Sequence, residues 1–198
     1  GEALGLRDAW SYALPTEAAL AAIGQRGPIV EVGAGNGVWA AALRQRGVDV
    51  VAYDTPVWSD AYAGGGAAGA AGKVLMGKRV EESEGGGVRE GGAESAAAHA
   101  DRALLLVWPD YAGRGTYARE ALRAYTGQTL LLVGEWRGRT FGGGAQGPTE
   151  DGEAFSAAFQ QQVESDFEVV EQHRLPSWPW YVDCLVVWRR KASPPIVA

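Results

Sequence analysis

The sequence has one cysteine, one methionine and two histidines in 198 residues. A lone thiol, Cys184, cannot cross-link the chain internally, so stability has to come from a packed core. Cys184 lies in the apolar run from Val182 to Trp188, where a buried structural thiol is expected rather than a nucleophile. So few cysteines and histidines offer no zinc-ligand spacing, and no metal site is expected. There is no Ser-His-Asp arrangement and no Walker phosphate loop. No apolar run approaches the roughly 20 residues that a membrane helix needs, and the first residues show no signal-peptide pattern. Basic charge is also scarce. The formal net charge is −6, which argues against a surface that grips nucleic-acid backbone. The visible basic clusters, Arg137 with Arg139 and Arg189 to Lys191, read as a solvated loop and a solvated strand end. An intracellular chain, cytoplasmic or organellar, is expected, with no membrane partner and no strong nucleic-acid signature.

What the sequence does have is 46% apolar and 21% charged residues, an ordinary balance for a soluble domain of this length. A single domain, residues 1–198, is expected, interrupted by a Gly/Ala/Glu-rich excursion at about 56–98 that is flexible in part. Ala63 to Gly72 is almost entirely glycine and alanine. A third strand is expected within the excursion, near Lys73 to Met76 or near Lys78 to Val80, and a short helix at Ser95 to Ala100.

On either side of the excursion the periodicities are clear. Thr16 is a plausible N-cap for a helix over Glu17 to Ile23, which Gly24 and Gly27 end. Pro28 to Gly33 reads as a buried strand, Val38 to Arg46 as a helix and Val48 to Asp54 as a second strand. Trp39, Ala42 and Leu43 share one helix face. Arg102 to Trp108 is a nearly continuous apolar run, the mark of a strand buried on both faces. A helix from Tyr117 to Tyr125 follows, with Ala118, Ala121, Leu122 and Tyr125 inward. Then come a strand from Thr129 to Gly134, a helix from Glu153 to Ser165, and strands from Phe167 to Glu171 and from Val182 to Arg190. Alternating elements with buried strands predict an α/β, Rossmann-like three-layer sandwich. Its sheet is expected to be mostly parallel and seven-stranded, with an antiparallel edge hairpin.

The strongest constellation is Glu31-Val32-Gly33-Ala34-Gly35-Asn36-Gly37 followed, 17 positions after Gly37, by Asp54. Glycines between a strand and a helix allow a tight turn and close approach of a ligand to the backbone. The dinucleotide fingerprint places its third glycine one residue later, where this chain has Val38. That spacing makes a nicotinamide-dependent oxidoreductase the weaker reading. A carboxylate ending the second strand accepts hydrogen bonds from ribose hydroxyls in Rossmann-like folds. Glu31 is of the right type to receive an ammonium group.

Pro28 to Gly37 resembles the first motif of class I S-adenosylmethionine-dependent methyltransferases, and Val50-Val51-Ala52-Tyr53-Asp54 resembles the acidic strand that follows it. Tyr12 to Glu17, His99 to Arg102 and Leu104 to Pro109 resemble more narrowly a methyltransferase-like group of uncharacterised activity. The resemblance implies S-adenosylmethionine as cofactor, with Glu31, Gly33, Ala34, Gly35, Asn36, Gly37 and Asp54 around it, and methyl transfer to an unidentified acceptor. The alternative is an inactive, methyltransferase-like structural subunit of a larger assembly. Trp108-Pro109-Asp110-Tyr111 is similar to the Asp/Asn-Pro-Pro-Tyr loop of amino methyltransferases but has Trp108 for the polar residue and Asp110 for the second proline. Trp108, Pro109, Tyr111 and Trp178 are expected on the substrate side, Trp108 either stacking on a ligand or packing the loop. Asp110 and Glu135 are the candidate bases. Asp110 reads equally as an ammonium clamp, and Glu135 as a solvated loop acid. Methyl transfer from a sulfonium needs mainly alignment and exclusion of water, so no shared catalytic residue names the acceptor.

Overall fold

The computed structural model describes residues 11–55, 87–110, 115–140 and 151–192. Seven strands form one sheet: β1 (Ile29–Val32), β2 (Val50–Asp54), β3 (Val88–Glu90), β4 (Ala103–Val107), β5 (Thr129–Gly134), β6 (Phe167–Arg174) and β7 (Cys184–Arg190). Their order is β3-β2-β1-β4-β5-β7-β6. β3, β2, β1, β4 and β5 are parallel neighbours, whereas β7 runs antiparallel to both β5 and β6. The expected edge hairpin is therefore present, with its second strand inside and β6 at the rim.

The helices are α1 (Glu17–Gly24), α2 (Val38–Arg44), α3 (Tyr117–Ala124) and α4 (Ala157–Asp166), with a 3₁₀ helix at Ala93–Ala98. Thr16 caps α1, its side chain accepting from the Ala19 N–H at 3.2 Å. β1 and β4 are adjacent, yet the chain leaves them toward opposite edges of the sheet. Right-handed crossovers then put α2 and α3 on opposite faces. α1 packs with α2, and α3 packs with the 3₁₀ helix and α4, making two helical layers. The core between them is anchored by Leu104, Leu105, Leu106, Leu130 and Leu131, each fully buried. Trp39, Leu43, Ala118, Ala121, Leu122 and Tyr125 are buried as expected, and Ala42 is partly buried against the core.

Three differences from expectation bear on the site. β3 falls at Val88–Glu90, inside the stretch read as excursion, and the positions proposed for it, 73–76 and 78–80, lie outside the described residues, as does the rest of 56–86. The short helix sits at Ala93–Ala98 and is 3₁₀. α4 starts at Ala157, not Glu153, because the N–H groups of Glu153 and Ser156 are held by Glu135 and Asp110. Those bonds keep the lead-in extended at Ser156 (φ −67°, ψ 147°).

Candidate active site

Because β1 and β4 send their connections to opposite faces, their carboxyl ends form the switch point of the sheet, the place where open α/β sheets bind ligands. The glycine loop enters it from β1. Gly35 and Gly37 have φ of +55° and +79°, a region that favours glycine. A Cβ on Gly37 would stand 2.8 Å from Val88 Cγ2, so the loop is packed tightly against β3. A Cβ on Gly35 would meet nothing within 4 Å. The loop thus offers bare backbone to open space at Gly35.

The loop is tied to β2 by three hydrogen bonds. The N–H groups of Gly33 and Ala34 both donate to the Tyr53 carbonyl, at 2.9 and 3.0 Å. The Gly35 N–H donates to Asp54 Oδ2 at 2.5 Å. Asp54 therefore stands at the tip of β2 facing the loop. Beyond it, Gly91 N–H donates to the Asp54 carbonyl and Glu94 accepts from the Gly92 N–H at 2.8 Å. Asn36 completes the turn with Gly37, whose N–H donates to the Ala34 carbonyl at 2.8 Å.

Glu31 is the electrostatic feature of this half. It is 1% exposed, its Oε2 has no hydrogen-bond partner, and burial pushes its carboxyl from the usual 4.5 up to about 8. The Arg44 guanidinium and the Ala40 N–H, in the first turn of α2, pull against burial, while the charge of Asp54 adds to it. Arg44 itself is spent on the carbonyls of Val50 and Gly87. The folded chain holds a proton on Glu31 that the unfolded chain releases above about pH 4.5. Stability is therefore full below that pH and falls as pH rises toward 8. Urea midpoints measured between pH 5 and pH 9 are expected to fall for the wild type. They should fall much less for Glu31→Gln, which carries the uncharged form permanently; equal slopes would contradict this.

The other half lies beyond β4 and β5. Trp108 follows β4 with φ +48°, one of two non-glycine residues with positive φ among the described residues, the other being Trp180 at +78°. Its N–H donates to the Val133 carbonyl and its indole Nε1 donates to Asp183 Oδ1 at 2.8 Å. The ring lies against Tyr12 (centroids 5.8 Å apart) and edge-on to Tyr181 (5.2 Å), and only 7% of the residue is exposed. These contacts place Trp108 in the packing of the loop. Trp178 is partly buried against the core and donates to the Ser11 carbonyl at 3.1 Å. Pro109 follows Trp108 and is half-buried. Tyr111 lies outside the described residues.

Asp110 and Glu135 are both buried, at 1% and 3% exposure. Asp110 Oδ1 accepts from the Ala118 N–H at 3.1 Å and Oδ2 from the Ser156 N–H at 3.2 Å, so one carboxylate secures the entries to α3 and α4. Glu135 Oε2 accepts from the Glu153 N–H at 3.0 Å and Oε1 from the Val182 N–H at 3.2 Å. Glu135 is therefore a buried brace, not a solvated loop acid. His99 ends the 3₁₀ helix, and its Nε2 lies 3.1 Å from the Tyr53 hydroxyl.

Sequence reasoning passed over three participants. Tyr12 lies on Trp108 while the neighbouring Ala13 carbonyl accepts from Trp39 Nε1 at 3.1 Å, so these two residues link α2 to the loop after β4. Glu94, in the 3₁₀ helix after β3, accepts from the Gly92 N–H, next to the Gly91 N–H that donates to the Asp54 carbonyl. Tyr117, the first residue of α3, reaches the glycine loop. None of them has a local pattern to reveal it.

Neither a protein-family model nor a curated protein sequence matches the chain. Solved structures do. One, from work on the conversion of a disulfide bond into a thioacetal group during echinomycin biosynthesis, is 14% identical with a TM-score of 0.53, over 99% of this chain and 92% of that one. Another is the 1,6-didemethyltoxoflavin-N1-methyltransferase of Burkholderia thailandensis with 1,6-didemethyltoxoflavin and S-adenosylhomocysteine bound. It is 17% identical with a TM-score of 0.51, over 89% of this chain and 78% of that one. Likeness at these identities shows the fold alone: this chain shares its seven-stranded, mostly parallel α/β sheet with structures that include the Burkholderia methyltransferase.

Proposed function

We propose that this chain binds S-adenosylmethionine and transfers its methyl group to an acceptor, as a single methyltransferase-like domain. The observation that carries the reading is the open backbone at Gly35 with Asp54 hydrogen-bonded to it. Two features fit the cofactor. The space beside Gly35 accepts a ligand without displacing a side chain. Glu31 brings a buried carboxyl oxygen without a partner to the base of the loop, where the charge of a bound ammonium group would hold the carboxyl ionised. In this reading Glu31, Gly33, Ala34, Gly35, Asn36 and Gly37 hold the aminoacid end, and Asp54 takes the ribose. The cofactor supplies an already activated methyl group on its sulfonium.

The chain's own residues then align the acceptor and exclude water. In this reading Trp108, Pro109, Tyr111 and Trp178 lie on the acceptor's side, and Trp180, next to Tyr181 in the chain and 75% exposed, offers an aromatic face. The 1,6-didemethyltoxoflavin in the Burkholderia structure is a planar ring acceptor, the type such a face would suit. Asp110 and Glu135, with both oxygens of each carboxylate already accepting backbone N–H groups, act as positioning residues for the crevice, not as bases.

Calorimetric titration with S-adenosylhomocysteine tests the cofactor reading. Saturable binding with a dissociation constant below the millimolar range is expected. Absence of heat at millimolar ligand would instead favour a structural subunit of a larger assembly.

A further inference from the structure

Tyr117 opens α3, and its ring reaches the loop leaving β1. Its Cε1 stands 3.1 Å from where a Gly33 Cβ would be, so the ring packs directly on the first loop glycine. The Gly33 φ of +77° and this contact together exclude a side chain there. The Tyr117 hydroxyl is buried and has no hydrogen-bond partner. It is also surrounded by acids. Burial first, and then the charges of Asp54, Glu94 and Glu120, push the phenol well above its usual range, so it stays protonated and available as a donor.

A buried hydroxyl without an acceptor is uncommon and costs free energy, and its explanation is sought in a group the protein chain does not itself provide. The nearby acids do not serve: Asp54 Oδ2 takes the Gly35 N–H, Glu94 Oε1 takes the Gly92 N–H, and Glu120 is on the exposed side of α3, bonded to the Thr116 hydroxyl. Of the three acids, Asp54 ends β2 and Glu94 lies in the 3₁₀ helix that follows β3. That is the side of the crevice where a ribose on Asp54 would continue into its base.

We infer that Tyr117 is a binding residue for the adenosyl half of the cofactor, its hydroxyl donating to a nitrogen or oxygen acceptor of the nucleoside and its ring edge closing the crevice over Gly33. This rests on the cofactor reading above and extends it to a residue outside the glycine loop and the acidic strand end.

The test is Tyr117→Phe, with calorimetric titration of S-adenosylhomocysteine and of 5′-methylthioadenosine, which keeps the nucleoside and lacks the aminoacid end. Both ligands are expected to bind the variant roughly 5- to 10-fold more weakly than the wild type, as for loss of one hydrogen bond. The urea midpoint is expected to hold or rise, because the removed hydroxyl has no partner within the protein. Weakening of S-adenosylhomocysteine alone would assign the hydroxyl to the aminoacid end and overturn the inference. Unchanged affinity for both would also overturn it, while leaving the cofactor reading intact. A lowered urea midpoint would reveal a structural partner and count against it. Wild-type protein that binds neither ligand would bring down the cofactor reading and this inference together.

Discussion

Asp54→Ala is expected to weaken S-adenosylhomocysteine binding by about 100-fold. Two contributions add. A carboxylate that accepts ribose hydroxyls makes charge-assisted hydrogen bonds worth about 1.5–3 kcal/mol each. The same carboxylate also takes the Gly35 N–H at 2.5 Å, so its loss frees the loop that forms the rest of the pocket. A loss of about 3 kcal/mol corresponds to about two orders of magnitude in the dissociation constant. Asp54→Asn keeps one acceptor oxygen and loses the charge, so about 10-fold is expected for it. The order Ala worse than Asn worse than wild type, at unchanged urea midpoints, would tie the effect to the ligand. A change below threefold for Asp54→Ala would remove Asp54 from the site, and with it the resemblance on which the ribose assignment stands. Gly35→Ala supplies a control of different origin. Its methyl enters open space but the φ of +55° disfavours any side chain, so stability and affinity should fall together.

How much of this was legible in the sequence depends on how local each signal is. Strand β1, the glycine loop, α2 and β2 are contiguous, and the periodicity of Trp39 and Leu43 and the apolar run of β4 carry their own burial. The hairpin β6–β7 was legible for the same reason, although β6 runs on to Arg174 past an irregularity at Val170. β3 was not. Val-Arg-Glu between glycines has one apolar residue, and what makes it a strand is pairing of Val88 with Ala52 and Glu90 with Asp54, a relation between distant segments. Its misplacement hid Glu94. The carboxylates show the same limit more sharply. Asp110 and Glu135 are acids at the carboxyl ends of strands, which is where bases are found. Whether such an acid faces a ligand or a backbone amide depends on groups up to 47 residues away, such as the Val182 N–H on Glu135. Trp108 reads as a stacking platform until its indole is seen donating to Asp183, 75 residues on.

Asp110 is where the two roles separate most widely in their consequences. If it were a base, Asp110→Asn would fold with wild-type stability and lose only methyl transfer. As a brace, its carboxylate satisfies two buried N–H groups that begin α3 and that lead into α4, at 3.1 and 3.2 Å, in a site 1% exposed. Asp110→Ala leaves both donors without acceptors, each at about 1–3 kcal/mol, so destabilisation of about 3–5 kcal/mol is expected. Against the 5–15 kcal/mol that holds an ordinary domain together, that is a large share. Asp110→Asn does not rescue it fully, because its amide group presents N–H to a donor that needs an oxygen. The urea midpoints should therefore run wild type, Asn, Ala in descending order, with the slope of the transition unchanged if both states keep their compactness. Cofactor affinity should fall only as far as the crevice loosens, and Tyr117 should report it first, since Asp110 fixes the Ala118 N–H one residue along α3. A wild-type midpoint for Asp110→Asn would show that the backbone does not need this carboxylate and would return Asp110 to the chemistry.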